Sequence, residues 1–231
     1  MSEREKILGR IREALRIRAP KPGSHVGHAE EPPHPTRIAA THARQWLPAV
    51  PEDAEGQIRL FATHSEDLKT EFLRVTDVDA LAPALQSLAT RLGWKRVASH
   101  KGELTLRATE GLGLPVMRVD AGYDVNEMEG CDAGITECDA LIAQTGSIVL
   151  TSRSGGGRAL SVLPPHHVVI ARRSQLVPDL PAAFALLQSR YHDDYPSFIT
   201  LITGPSRTGD IERILVLGAH GPKKLTVLCA N

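Results

Sequence analysis

The sequence predicts an α/β fold, a mixed central sheet flanked by helices, preceded by an N-terminal helix and a Pro/His-rich linker. Two observations carry this prediction. Apolar runs of strand length alternate with segments of helical period from about residue 66 to residue 119. After residue 133 the texture changes to closely spaced β-rich runs broken by glycine. Hydrophobic residues make up 42% of the 231 residues, enough for a sizeable core, but aromatics only 4%, so Leu, Val, Ile and Ala must build it.

Taken in order, Ile7, Ile11 and Leu15 recur every four residues and predict one amphipathic helix within residues 1–17. Such a short helix is marginal in water alone and is expected to dock on the body or on a partner. Residues 18–52 hold seven of the 16 prolines and four of the ten histidines, which reads as an extended linker. The irregular spacing of His25, His28, His34 and His42 does not suit a metal site. A folded domain is expected over 53–231. Within it "EFLRV" is a short strand, and "DVDALAPALQSLATRLG" is a helix with an Asp start and a Gly stop. "KRVAS" is a strand, residues 102–110 a short helix, and "LPVMRV" a strand. "ALIAQTGSIVLTS", "RALSVLP" and "HHVVIARR" suggest an antiparallel meander. "VPDLPAAFALLQSRY" is a helix with Pro near its first turn; "SFITLIT" and "RILVLGAHG" close the sheet, with "KLTVLCA" as a last edge strand.

Charge is balanced, Lys+Arg 27 against Asp+Glu 27, which removes the general attraction to phosphate backbones that nucleic-acid binders use. No apolar run approaches the roughly 20 residues needed to span a bilayer. The charged start "MSEREKILGRIREAL" lacks a signal-peptide apolar core, so a cytoplasmic location is expected. Cys131, Cys138 and Cys229 form no C-x₂-C pair, and are read as reduced and structural rather than as cluster ligands.

Four polar clusters fall at strand ends, and in open α/β sheets ligands usually bind beyond the carboxyl ends of strands. In "TGPSRTGDIE", Gly204 and Pro205 force a turn. Ser206, Arg207, Thr208 and free N–H groups there suit a carboxylate or phosphate. A capped turn in which Asp210 and Glu212 neutralise Arg207 is the competing reading. In "AQTGSIVL" the Thr-Gly-Ser step is either an ordinary hairpin corner or a backbone that must pass close to something. Gln144 beside it carries no charge and cannot serve as a carboxylate nucleophile or base. "SRSGGGRALSVLPPHH" is either an anion-gripping loop ending in Arg158 or a long hairpin tip. Its His166 and His167 should point one inward and one outward. In "GAHGP", His220 sits between glycines after a strand. The acidic stretch 120–139 does not match a calcium loop and reads as a solvated connection.

In this order, "CDAGITECDALIAQTGSIVLTS", "GRALSVLPPHHVVIA" and "TGPSRTGDIERILVLGAHGP" resemble the LUD domain (DUF162), specifically the lactate utilization protein C family. The resemblance implies a fold similar to the NagB/RpiA/CoA-transferase-like group. It also implies a role in oxidising L-lactate to pyruvate within a three-protein system. Its cysteine-rich partners carry the iron–sulfur clusters, so no cofactor is expected in this chain. The family commonly has Glu at the position of Gln144, the residue type that forms the acyl intermediate in CoA transferases of similar fold. Gln144 puts that chemistry in doubt, and fold alone does not fix function. What is expected is therefore a non-redox subunit with no independent catalytic machinery evident. It would bind a small anion through Arg207, Ser206, Thr208 and Gly204, with Arg158, His220 and Gln144 as further contacts. The alternative is a stand-alone enzyme on a phosphorylated sugar or CoA ester, its acid/base drawn from His166, His167 or His220.

Overall fold

The computed structural model describes residues 3–14, 16, 48–192, 194–208, 216–217 and 221–231. The chain divides into two units, Met1–Trp46 and Leu47–Asn231. In the first, α1 spans Glu3–Ala14, where the apolar period placed it. The Pro/His-rich stretch lies almost wholly outside the described residues.

The second unit opens with α2 (Ala54–Asp67), whose N-cap Asp53 accepts a hydrogen bond from the N–H of Gly56. The local sequence gives this helix no clear signal, because its buried face is narrow: Ile58, Phe61 and Ser65 alone carry it beyond the first turn. Then follow β1 (Glu71–Val75), α3 (Leu81–Leu92), β2 (Val97–Ser99), α4 (Glu103–Thr109), β3 (Val116–Arg118), α5 (Val125–Glu129) and β4 (Ala133–Thr136). Helix α3 ends on Gly93 at φ +67°, the left-handed position that a Gly stop supplies. The remaining elements are β5 (Ala140–Ile142), β6 (Ser147–Thr151), β7 (His166–Arg172), β8 (Leu176–Val177), α6 (Leu180–Tyr191), β9 (Ile199–Ile202), β10 (Arg207–Thr208), β11 (Val216–Leu217) and β12 (Lys224–Ala230).

The strands pair as three sheets. The six-stranded sheet, in the order β1-β12-β7-β4-β2-β3, is parallel at every pairing. A four-stranded sheet, β8-β5-β6-β9, holds the antiparallel pairs β5–β6 and β6–β9; β10 and β11 form a small ribbon. The α/β class stands as expected: the central sheet is wholly parallel, and the mixed sheet is the four-stranded one, where β5 also pairs in parallel with β8. The expected meander is one hairpin, β5–β6. "RALSVLP" forms turns, and "HHVVIARR" leaves the meander to pair in parallel with β4 and β12.

The strand "KLTVLCA" is not an edge. β12 lies between β1 and β7, and its residues Leu225–Ala230 are all buried. A run buried on both faces is what an interior parallel strand requires, and the half-exposed β1 takes the edge instead. Alternation along β7 and β12 sends residues to two different cores. Val168, Ile170 and Leu228 face Leu81, Leu85 and Leu88 of α3 and Leu104 of α4. Val169, Ala171, Val227 and Cys229 face α2 and the small sheet. The far side of that sheet packs Ala140, Ile142 and Val149 on Ala183, Leu187 and Tyr191 of α6.

Candidate functional site

Because β7 is interior, alternation at its entry has an unexpected result. His166 and His167 are both buried, 3% and 1% exposed, and point to opposite faces of the sheet. The expected inward–outward pair is corrected for the reason given for β12: both faces of the strand are covered. Each ring is held by a threonine on a neighbouring strand. His167 Nε2 lies 2.9 Å from Thr136 Oγ1, and His166 Nε2 lies 2.8 Å from Thr226 Oγ1. Burial pushes both imidazoles down, His166 to about 4 and His167 to about 3, so both are neutral at physiological pH.

Each histidine lines its own cavity. The larger, about 400 Å³, is walled by His167, Ser161, Phe198, Thr200, Thr203, Gly204, Pro205, Ser206 and Gly221 among others. The smaller, about 260 Å³, is walled by His166, Lys69, Glu71, Arg91, Lys223, Lys224 and Thr226, and shares Pro205 and Leu225 with the first. Both lie at the amino ends of β7 and β12, opposite to the carboxyl-end placement expected of open α/β sheets.

The carboxyl ends of β2 and β4 are already filled. The Glu137 carboxylate there accepts the N–H groups of Leu104 and Thr105, closing the first turn of α4. The glycine-rich loop covers the same end: Gly156, at φ +63°, passes so close to His100 that a Cβ there would lie 2.4 Å from the histidine's Cβ. Gly155 and Gly156 thus serve close packing, while Gly157, at φ +110° with open space beside it, serves the turn.

Of the residues the sequence put forward, Gly204 and Ser206 line the larger cavity. Gly204 adopts φ +85°, with the carbonyl of Leu68 3.0 Å from where a Cβ would sit. Arg207 is exposed; its guanidinium donates to that same Leu68 carbonyl and runs beside Gly204. Arg158 donates to the Ser197 carbonyl at 2.8 Å and stacks on Phe198, another cavity wall, at 5.4 Å. The two arginines therefore flank the cavity without entering it. Thr208 pairs with Val216 in the β10–β11 ribbon. Gln144 is outside the cavity wall; its Nε2 donates to the Pro48 carbonyl at 2.9 Å, and its buried Oε1 has no partner among the described residues. His220 lies outside the described residues, as do Asp210 and Glu212. The Thr-Gly-Ser corner is both things proposed for it, a hairpin corner and a close approach, the approach being to α2. A Cβ on Gly146 would lie 2.7 Å from that of His64.

Ser161, Thr200 and Thr203 were not foreseen. Thr203 carried a signal, a hydroxyl directly before Gly-Pro; the others reach the cavity through tertiary placement alone. All three cysteines are buried free thiols. Burial raises the pKa of each, that of Cys229 to about 11, which makes them inert apolar residues.

Comparison with known proteins agrees with this architecture. Residues 123–229 match the LUD domain. "Lactate utilization protein C" of Bacillus velezensis is 28% identical over 246 residues, covering 100% of this chain and 97% of that protein. "Lactate utilization protein C" of Bacillus licheniformis is 32% identical over 175 residues, covering 70% and 72% respectively. A crystal structure of a DUF162 family protein from Deinococcus radiodurans superposes with a TM-score of 0.61 at 24% identity, covering 78% of this chain and 100% of that one, and so shares the fold. With matching sequence along most of its length and the same domain over its carboxyl-terminal half, the chain belongs to the lactate utilization protein C family of LUD-domain proteins.

Proposed function

We propose that this chain is a non-redox subunit of an L-lactate oxidation system, acting with iron–sulfur proteins that convert L-lactate to pyruvate. The observation that carries the reading is the end-to-end similarity to a relative named for lactate utilization. The clusters are assigned to the partners because the three cysteines here form no cluster-binding pattern.

Within that role the chain holds a small carboxylate anion at the His167 cavity. The cavity offers the Ser206, Thr200 and Thr203 hydroxyls as neutral donors, with Arg207 and Arg158 at its flanks supplying charge. A ligand at one hundred times its dissociation constant would stabilise the protein by about 2.7 kcal/mol. Melting of the purified chain with L-lactate, pyruvate, phosphate or coenzyme A is expected to rise with the carboxylates, and the rise to be lost in Arg207→Ala. An undiminished rise in that variant across the panel removes the site. Cells lacking the gene are expected to lose growth on L-lactate; unchanged lactate oxidation would remove the pathway role. The stand-alone enzyme reading gains nothing from His166 or His167. With pKa values of about 4 and 3 they are too weakly basic to hold a transferable proton at neutral pH.

A further inference from the structure

The wall of the larger cavity changes character from floor to mouth. At the floor lies the His167 ring, 1% exposed, with its Nε2 taken by Thr136. Nδ1 is its remaining polar atom. Unlike Nδ1 of His166, it is not among the sealed buried atoms without a partner, and the ring lines the cavity, so Nδ1 faces that space. The neighbouring Ser161 hydroxyl is spent on the Arg158 carbonyl at 3.3 Å. His167 is neutral, and the described wall holds no charged side chain. The floor therefore suits hydrogen bonds and not charge, since an ion moved into an uncharged pocket loses hydration without gaining a counter-charge.

Further out the wall is apolar. Phe198, Ile202 and Leu225 line it together with Pro205 and Pro222, and Val162 and Leu201 remain 44% and 40% exposed to water. Arg158 and Arg207, both exposed, stand beyond this wall, the first laid on the Phe198 ring and the second beside Gly204. Positive charge thus sits at the rim, apolar surface below it and a neutral hydrogen-bonding group at the bottom. Size points the same way. The cavity's 400 Å³ falls in the range of about 300–1,000 Å³ that encloses a drug-sized ligand. At about 30 Å³ per liquid water it has room for roughly a dozen waters. A three-carbon acid held at the arginines would displace only a fraction of these and would leave His167 Nδ1, Val162 and Leu201 wet.

We propose that the anion held here is the charged end of a longer ligand with a ring-bearing, largely apolar body. This rests on the reading that the cavity holds an anion, and adds what the rest of the molecule is. The anionic group pairs with Arg158 and Arg207 at the rim. The body covers Val162, Phe198 and Leu201, and a polar atom on its ring exchanges a hydrogen bond with His167 Nδ1. A ring suits the flat surfaces that Phe198, Pro205 and Pro222 present. A hydroxyaryl-substituted acid and a mononucleotide share this chemistry, so the test pairs each with its counterpart lacking the ring.

Binding to the purified full-length chain is measured by calorimetry for 4-hydroxyphenyllactate against L-lactate and for AMP against ribose 5-phosphate. Within at least one pair the ring-bearing member is expected to bind at least tenfold more tightly, since burying about 60 Å² of apolar surface already accounts for a factor of about ten. The pair showing the preference tells an aryl acid from a nucleotide. Phe198→Ala should reduce the preference. Leu201→Ser should reduce it too, with an unchanged melting temperature, because Leu201 is exposed in the free protein. Methyl NMR gives a readout without any substitution: the Val162 and Leu201 methyl resonances should move with the ring-bearing member and stay in place with its counterpart. Equal affinities within both pairs overturn the proposal and leave the anion reading standing; binding by none of the four compounds removes both. A preference untouched in Phe198→Ala and in Leu201→Ser, or methyl resonances that do not move, would also overturn it.

Discussion

Asp139 is 1% exposed, and the chain invests three side chains in it. Arg190 donates to Oδ1 at 2.8 Å, the Tyr191 hydroxyl to the same oxygen at 2.5 Å, and the Ser154 hydroxyl to Oδ2 at 2.6 Å. The charge pins α6 to the start of β5 and to the turn after β6. Asp139→Ala would leave two hydroxyls without their acceptor and return the half-exposed Arg190 guanidinium to water, a loss of about 1–3 kcal/mol. Denaturant unfolding should show a loss of that order, whereas a loss below about 1 kcal/mol would show that the network is replaceable by water. None of this was legible beforehand. The acidic stretch 120–139 reads as a solvated connection, whereas it contains the buried strand β4, and of its carboxylates Asp139 alone is buried, by contacts some 50 residues away. Arg207 shows a different limit: the sequence draws attention to it, but not to the Leu68 carbonyl as its acceptor.

At the scale of elements, β4 makes the clearest demand. Gly134 sits in the middle of the parallel sheet, and a Cβ there would lie 2.1 Å from the backbone oxygen of Leu160. Backbone cannot swing aside as a side-chain tip can. Gly134→Ala should therefore displace the 152–165 connection and destabilise the fold by about 1–3 kcal/mol, the usual range for overpacking. Limited proteolysis would show the displacement as new cleavage within 152–165; an unaltered digest and melting temperature would contradict it. Helices α3 and α6 were legible in the sequence because their signals are local: a Gly stop, an Asp N-cap, a Pro in the first turn. The helix α2 was not, because its burial rests on few residues. β12 was found as a strand but misplaced, since an apolar run does not state how many neighbours it has.

Taken as a whole, the molecule carries two neutral histidines in the middle of its sheet, and this sets its response to acid. Unfolded, each imidazole titrates near 6.5; folded, at about 4 for His166 and about 3 for His167. Between these values the unfolded chain binds protons that the folded chain refuses, so stability falls as pH falls. The contribution is fully present above about pH 6.5 and is lost progressively down to about pH 3–4. Each histidine is expected to contribute on the order of 3 kcal/mol to that loss. Denaturation midpoints measured from pH 7 to pH 4 should decline steeply in the native protein and less so in His167→Gln, which retains a polar group facing Thr136. Parallel profiles for the two proteins would contradict the assignment.

By itself the sequence determined the α/β class, most of the strands and helices, the family, and the turn at Gly204–Ser206 as a place of interest. These follow from local period, caps and turn chemistry, or from an ordered set of motifs. Only the tertiary structure decided that β7 and β12 are interior. That placement buries both histidines of "PPHH", gives each a threonine partner, and opens a cavity on either face of the sheet. It also places both cavities at the amino ends of β7 and β12, while Glu137 and the glycine loop occupy the carboxyl ends of β2 and β4. The physical reason is common to all of these. Strand neighbours, and hence burial and partner groups, depend on pairings between segments as much as 155 residues apart, such as Thr226 with Glu71. No local pattern records them.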